Sequence, residues 1–508
     1  MTARAPNVVI VMADQLAAEW LPVYGHEIVH APYLSGLAAD GVTFESAYCP
    51  SPLCAPSRAA MLTGRRASRI GVFDNAAELP ASVPTLAHHL RLAGYHTSLA
   101  GKMHFVGPDQ LHGFERRLTT DIYPASLDWT PDWTRAVSDR LPWYHTMESV
   151  LTPARAIASM QTDYDDEVAF EAVRELHQLA RERDARPFLL VVSFSNPHDP
   201  WEIPARYWNL YDPARIELPR VPLVPLAEVD PHSRRLRAMA GVDEVGLSED
   251  QLRHVRHAYF AAISYVDERI GAVLEALRES GLDDNTVVAF TADHGELLGE
   301  RGLWYKMSFH EPSARVPLIV RAPGALAGAR VAAPVSLLDL ASTILELAGG
   351  PGRADDAGLD GQSLLPLLRG GADCAARAVV CEYHAEGVNA PAAMIRVGRH
   401  KLIVCGEDPD LLYDLETDPK ELTNLAGRPE SQPELDRLRA GLAARLDLAD
   451  IERRVLASQR ERQLVARALA EGEVTSWDYQ PVVDASTRYV RTKADLYELQ
   501  RRARLEAS

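Results

Sequence analysis

The run Cys54-Ala-Pro-Ser-Arg58 continues through Ala-Ala-Met-Leu to Thr63-Gly64. Pro56 suits the first turn of a helix and Gly64 its end. Cys54 therefore stands at a helix N-terminus, where the dipole and the free amides favour negative charge. A thiol there can act as a nucleophile. The plainer reading of one such cysteine is a small buried apolar residue. Six more residues of ligand or acid–base type follow apolar runs: Asp14, Lys102, His104, His198, Asp293 and His294. Singly each reads as a loop residue. Together they suit one crevice.

The elements that must position them are legible around them. Asn7–Ala13, Pro187–Phe194 and Thr286–Thr291 are rich in β-branched and aromatic residues without alternation, as strands buried on both faces are. Tyr95–Ala100 is a further short run that stops at polar residues, and helical patterns cover Val83–Ala93 (closed by Gly94), Tyr164–Arg183 and Asp250–Ser280. This alternation predicts an α/β fold, a mostly parallel sheet flanked by helices, with its active crevice beyond the carboxyl ends of the strands. Beyond about residue 375 the pattern changes. Ala378–His384, Ala392–Val397 and Lys401–Cys405 predict a small antiparallel sheet, and Leu435–Leu446 and Ile451–Ala470 predict amphipathic helices. The expected division is a catalytic domain over 1–375, a small α+β domain over 376–450, and a helical extension and tail over 451–508 that suits oligomerisation. Gly349–Gly361 reads as a loop.

The 508 residues carry 53 Lys+Arg against 71 Asp+Glu, a formal charge of −18. That balance argues against a general nucleic-acid binder and against docking on anionic membrane. No apolar run approaches the ~20 residues of a membrane span, and Val8–Ala13 is too short for a signal-peptide core. The five cysteines, Cys49, Cys54, Cys374, Cys381 and Cys405, are odd in number and form no CxxC pair, so neither a disulfide framework nor a zinc knuckle is expected. A cytoplasmic chain with reduced thiols is the default.

In its context, Cys54-Ala-Pro-Ser-Arg58 with Thr63-Gly64 resembles the first signature of the sulfatase family, within the alkaline-phosphatase-like superfamily. Gly94-Tyr-His-Thr-Ser-Leu-Ala-Gly-Lys-Met-His104 resembles the second. Asp14-Gln15 and Asp293-His294-Gly295 stand at the family's metal positions, and Leu412-Tyr-Asp-Leu415 with Asp418-Pro419, Glu421 and Asn424-Leu425 resembles its C-terminal marker. These blocks lie in family order over most of the chain. The resemblance implies sulfate-ester hydrolysis by a formylglycine, made from Cys54 by a separate formylglycine-generating enzyme that reads Cys-x-Pro-x-Arg. It implies one divalent metal at Asp14, Cys54, Asp293 and His294. The carboxylates favour Ca2+, while the imidazole, where the family often has Asn, leans toward Mg2+ or Mn2+. Gln15 replaces a frequent second Asp as a neutral ligand or hydrogen-bonding group. Arg58 and Lys102 then hold the nucleophile, His104 takes its second proton, and His198 and Lys306 contact the sulfate and protonate the leaving oxygen. Asn75 is a candidate donor to a sulfate oxygen, although Asp74-Asn75 also reads as a turn.

Asp128-Trp129-Thr-Pro-Asp-Trp133 and Trp143-Tyr144-His145 are dense in aromatic residues. Any one alone suits packing, and together they suit a cage for a quaternary ammonium. The text is similar to one branch of the family, the choline sulfatases, through Ile10–Leu16, Ser51–Pro56, Gly101–Phe114, Leu118–Pro124, Gly299–Trp304 and Trp477–Pro481, so this resemblance spans nearly the whole chain. It implies choline-O-sulfate as substrate, with Trp129, His145 and Glu386 around the ammonium and Thr146 in place of an expected Asn. It also implies a homo-oligomer, dimer or tetramer, whose tail reaches a neighbouring site, with Asp495 the candidate contributor. The first rival is a phosphonate monoester hydrolase or phosphodiesterase on the same nucleophile. The second is an inactive binder of a sulfated osmolyte.

Overall fold

The computed structural model describes residues 5–136, 145–182, 186–349, 358–371, 377–482, 484–488, 491 and 495–502. Trp143, Tyr144, Cys374 and most of the loop Gly349–Gly361 lie outside the described residues.

The expected strands form the middle of a large sheet. From edge to edge it runs Ala329–Ser336, Val42–Tyr48, Leu318–Arg321, Thr286–Ala292, Asn7–Ala13, Phe188–Ser193, His96–Gly101 and Arg116–Arg117, with Arg315–Val316 also paired to Val42–Tyr48. Asn7–Ala13 is parallel to Phe188–Ser193 on one side and to Thr286–Ala292 on the other. Every residue of these three strands is buried, which explains their lack of alternation. Leu318–Arg321 runs antiparallel to both neighbours. Two groups of helices cover the sheet. Met160–Glu182 packs on the 31-residue helix Glu249–Glu279, and Cys54–Thr63 packs on Leu338–Ala348 and Leu86–Leu92. Leu86–Leu92 begins with a capping box in which Thr85 accepts from the His88 amide.

The C-terminal sheet has four antiparallel strands, Ala378–Tyr383, Ala392–Val397, His400–Cys405 and Leu411–Asp414. The fourth was not expected as a strand; it coincides with the C-terminal marker. Gln432–Ala443 packs on this sheet. The sheet is joined to the catalytic part by the Glu382 amide, which donates to the Pro50 carbonyl at 2.9 Å. Leu448–Leu469 then turns back over the loop around Trp133, where Gln459 Oε1 accepts from the Trp133 amide at 3.0 Å. Among the described residues no helix is long and apolar enough to cross a membrane.

Candidate active site

Parallel neighbours bring their carboxyl ends to one edge, and the chemistry collects there. Asp14 follows Asn7–Ala13, Asp293 follows Thr286–Ala292, Lys102 follows His96–Gly101, and His198 lies beyond Phe188–Ser193. Gly101 is required for this convergence. Its φ is +101°, and a Cβ there would sit 1.9 Å from the Ser193 carbonyl oxygen, to which the Lys102 amide donates at 3.0 Å.

Cys54 opens the helix Cys54–Thr63, every residue of which is buried, and Gly64 ends it in the left-handed conformation. Asn75 Oδ1 accepts from the Ala55 amide at 3.0 Å and so satisfies one free donor of that N-terminus. Arg58 locks the helix to the strand ends: Nε donates to Asp293 Oδ2 at 2.8 Å, and Nη1 donates to the Lys102 carbonyl at 2.6 Å and to Ser193 Oγ at 2.7 Å. Lys102 Nζ is ion-paired with Asp14 Oδ2. Ligand atoms of Asp14, Cys54, Asp293 and His294 all lie within 4.8 Å of one another, and all four residues are buried. Two carboxylates, an imidazole and a sulfur position suit a divalent cation. Beside this cluster, Arg58 Nη2 and both ring nitrogens of His104 are buried without a hydrogen-bond partner, which suits an anionic or hydroxyl-bearing group at position 54. Burial pushes the Cys54 thiol pKa up, but Lys102, Lys306 and His294 overcome it and hold it well below the ordinary thiol value.

Opposite the nucleophile, Lys306 Nζ donates to Gln15 Oε1 at 2.6 Å and to His198 Nε2 at 2.7 Å. His198 Nδ1 donates to the Asp199 carbonyl at 2.7 Å, which leaves Nε2 as an acceptor. Gln15 does not turn its side chain to the metal cluster. Its Nε2 donates to Glu296 Oε2 at 2.6 Å and to Asp199 Oδ1 at 3.2 Å. Burial, aided by Asp199, pushes the Glu296 carboxyl up to about 7. Asp199 goes the other way: burial raises it, but His198 and His145 hold it far below the usual carboxylate range.

The aromatic residues line the mouth. Tyr123 lies under Lys102, whose Nζ is 4.2 Å from the ring centroid. The Trp129 ring meets Tyr123 and His104 edge-on at 5.5 and 5.8 Å. His145 stacks on Tyr305 at 4.3 Å, and burial and Lys306 push its pKa down to about 4, so it is neutral at physiological pH. Glu386 is buried just past Ala378–Tyr383 and joins at one remove: Trp133 Nε1 donates to the Ala385 carbonyl at 3.0 Å, and Tyr383 Oη donates to the Glu386 carbonyl at 2.6 Å. Thr146 Oγ1 accepts from the Glu148 amide at 3.3 Å, just ahead of the short helix Glu148–Leu151. Asp495 lies apart, exposed, accepting from the amides of Tyr497 and Glu498 at 2.9 and 3.1 Å.

Asp14, Asn75, Lys102, His104, Trp129, His145, His198, Asp293, His294 and Lys306 thus converge with Cys54 and Arg58. Sequence reasoning missed Tyr123, Asp199 and Glu296. Their signals were available: Asp199 is adjacent to His198, Glu296 is two residues past His294, and Tyr123 lies in the run Leu118–Pro124.

A helix-borne sulfur, a cluster able to hold a cation and three buried cationic side chains at the carboxyl edge of the parallel strands suit a hydrolase for esters of an oxyanion. Residues 6–350 match the sulfatase family, residues 299–447 the C-terminal region of N-sulphoglucosamine sulphohydrolase, and residues 453–505 the C-terminal segment of choline sulfatase enzymes. The chain is 45% identical over 507 residues to a choline-sulfatase of Rhizobium meliloti (strain 1021), covering 98% of each. It is 30% identical over 461 residues to arylsulfatase K of Bos taurus, covering 85% of this chain and 80% of that one. Among solved structures, a phosphonate monoester hydrolase from Silicibacter pomeroyi superposes with a TM-score of 0.68 at 26% identity, over 86% of this chain and 94% of that one. The chain belongs to the sulfatase family. It is a sulfuric ester hydrolase, and members of that family generally use a divalent metal and a formylglycine.

Proposed function

We propose that this enzyme hydrolyses choline-O-sulfate to choline and sulfate. The observation that carries the proposal is the pairing of two ends in one site: buried cations around Cys54, and the aromatic rings of Tyr123, Trp129 and His145 at the mouth. A zwitterion with a sulfate head and a quaternary ammonium tail suits both. The full-length similarity to a choline-sulfatase supports the same substrate.

Asp14, Asp293, His294 and position 54 would hold the cation, for which we propose Ca2+. With Cys54 converted to formylglycine by a partner enzyme, the cation would supply the charge that makes a hydroxyl at position 54 acidic enough to serve as nucleophile. The remaining roles belong to side chains already in place. Arg58 and Lys102, both held charged because their carboxylate partners overcome burial, offset negative charge at position 54. His104 accepts a proton at a ring nitrogen, both of which lack a protein partner. Lys306 Nζ, shared with His198 Nε2, delivers a proton to the leaving oxygen. Asn75 orients the nucleophile's helix and reaches the sulfate, while Trp129, His145 and Glu386 surround the ammonium. The domain division at 375 and 450, a cytoplasmic location and a homo-oligomer closed by its tail complete the proposal.

The test compares kcat/KM for choline sulfate, an aryl sulfate and a phosphonate monoester, with intact mass across peptide 54. Choline sulfate is expected to lead, with an aldehyde at position 54 and no activity in Cys54→Ala. A desolvated cation–π contact is worth about 1–2 kcal/mol, so Trp129→Ala is expected to cost roughly 5- to 30-fold on choline sulfate and little on the aryl ester. Equal losses on both would overturn the cage. A lead for the phosphonate ester would overturn the substrate class and favour the second reading, which the Silicibacter pomeroyi neighbour motivates.

A further inference from the structure

The helix Leu448–Leu469 buries only Ile451, Val455 and Gln459, so its second half is attached to the enzyme chiefly through polar side chains. Three of these lie within little more than one turn. Gln459 Oε1 accepts from the Trp133 amide at 3.0 Å, and Gln463 Nε2 donates to the Pro131 carbonyl at 3.2 Å. Between them, Arg462 forks onto Asp74, with Nη1–Oδ1 at 2.7 Å and Nη2–Oδ2 at 2.6 Å. The same Nη1 donates to Thr130 Oγ1 at 3.3 Å, and Nε donates to Ser458 Oγ at 3.1 Å. Asp74 has no solvent exposure, and Arg462 is the one cation in ion-pair range of it among the described residues.

Both residues that the guanidinium holds, Asp74 and Thr130, stand next to a group that meets substrate in the proposed reading. Asp74 Oδ1 also accepts from the Ala76 amide at 2.9 Å, which fixes the turn carrying Asn75, and Asn75 Oδ1 accepts from the Ala55 amide beside the nucleophile. Thr130 Oγ1 donates to the Leu127 carbonyl at 2.7 Å and is adjacent to Trp129. We infer that Arg462 is a positioning residue that sets the spacing between the sulfate end and the cation end of the site. It touches neither end of the substrate. A bidentate guanidinium is suited to the task because its planar fork fixes direction as well as distance, which an ammonium does not. The helix outside the catalytic sheet thereby acts as a specificity element. This inference rests on the reading that Trp129 faces the substrate cation.

The test uses the full-length, converted, metal-loaded enzyme with Arg462→Met, Arg462→Lys and the double variant Asp74→Asn/Arg462→Met. Two readouts are taken: kcat and KM on choline sulfate and on an aryl sulfate, and hydrogen exchange over segments 53–57, 73–77 and 129–134. Arg462→Met is expected to raise KM for choline sulfate roughly tenfold more than KM for the aryl ester, since small misplacements of a positioning group are costly. It is also expected to speed exchange in both the 73–77 and 129–134 segments. Arg462→Lys should restore part of each effect. The double variant, which leaves no unpaired buried charge, guards against a failure of Arg462→Met to fold and should keep the raised KM. Unchanged exchange in both segments, or equal losses on both esters without rescue by Lys, would overturn the inference. If wild-type enzyme shows no preference for the cationic ester, the cage reading fails, and the exchange arm still decides whether Arg462 holds the two segments together.

Discussion

Replacing Glu296 with Gln tests whether the leaving-group end of the site is wired through Gln15. Glu296 Oε1 accepts from the amides of Leu298 and Tyr305, both at 2.7 Å, and Oε2 accepts from Gln15 Nε2 at 2.6 Å. In Glu296→Gln the new amide oxygen stays with the two backbone donors, and its NH2 meets the NH2 of Gln15. Two donors cannot share that contact, so Gln15 must turn its amide over. Its oxygen then leaves Lys306, which it now accepts from at 2.6 Å. A charge-assisted hydrogen bond is worth about 1.5–3 kcal/mol, which corresponds to roughly 10- to 150-fold in rate. The loss falls on esters whose leaving oxygen needs a proton. Choline sulfate, an alkyl ester, should lose that factor in kcat, and an aryl sulfate with an acidic phenol should lose little. Acid should imitate the substitution. With its carboxyl pushed up to about 7, Glu296 is ionised above that pH and protonated below it, and the proton must sit on Oε2 because Oε1 is committed. The wild-type ratio of alkyl to aryl activity should therefore fall as pH drops through 7, and in Glu296→Gln it should be low and flat. Equal losses on both esters, or a ratio that still titrates in the variant, would refute the reasoning.

Three further outcomes follow from other parts of the molecule. Lys401 is fully buried between Glu311 at 2.9 Å and Glu421 at 2.8 Å, so Lys401→Met should cost about 3–5 kcal/mol by removing the cation the two carboxylates share and leaving Glu311 with Arg315 and Tyr48 and Glu421 with His310; chemical denaturation measures it, and neutralising both glutamates as well should recover part of the loss. Burial pushes the Asp267 carboxyl from 3.8 up to about 7. Its neutral form is favoured by folding, so the wild type should lose up to about 4 kcal/mol relative to Asp267→Asn as pH rises from about 4 to 7; melting curves across that range should converge at the acid end. Removing divalent metal with a chelator should lower the melting temperature, by the equivalent of about 2.7 kcal/mol when the ion had been present at a hundred times its Kd; readdition of Ca2+, Mg2+ and Mn2+ in turn ranks the ions, and no shift on chelation would refute the cluster as a metal site.

The strands nearest the chemistry were legible because burial on both faces leaves an uninterrupted apolar run, as in Val8–Ala13 and Val287–Phe290. The outer strands were not. Ala329–Ser336 carries Pro334 at an irregularity in its pairing, Val42–Tyr48 mixes Thr, Glu and Ser with its apolar residues, and Leu318–Arg321 has four residues. The site divides in the same way. Cys54, Arg58, Lys102, Asp293 and His294 stand in short local motifs whose spacing is itself the signal. Glu296, Asp199 and Tyr123 owe their places to hydrogen bonds and ring contacts across the fold, and the Glu296–Gln15 contact joins residues 281 positions apart. Arg462 is further still from Asp74 in the chain, and nothing in the amphipathic pattern of its helix marks it.

One feature of the nucleophile's helix bears on how the enzyme is made. Cys54, Ala55, Pro56, Ser57 and Arg58 are all buried, and Cys54 with Arg58 is closed in by Asp14, Lys102, Asp293 and His294. A second protein that converted Cys54 to formylglycine, as proposed above, would have no access to this pentapeptide once the sheet has formed. Maturation would then be a race between folding and modification, run once per chain during or soon after synthesis. A molecule that folded with its thiol intact could not be repaired without unfolding. The active fraction of a preparation would then record how fast the chain folded against how much modifying enzyme the cell contained.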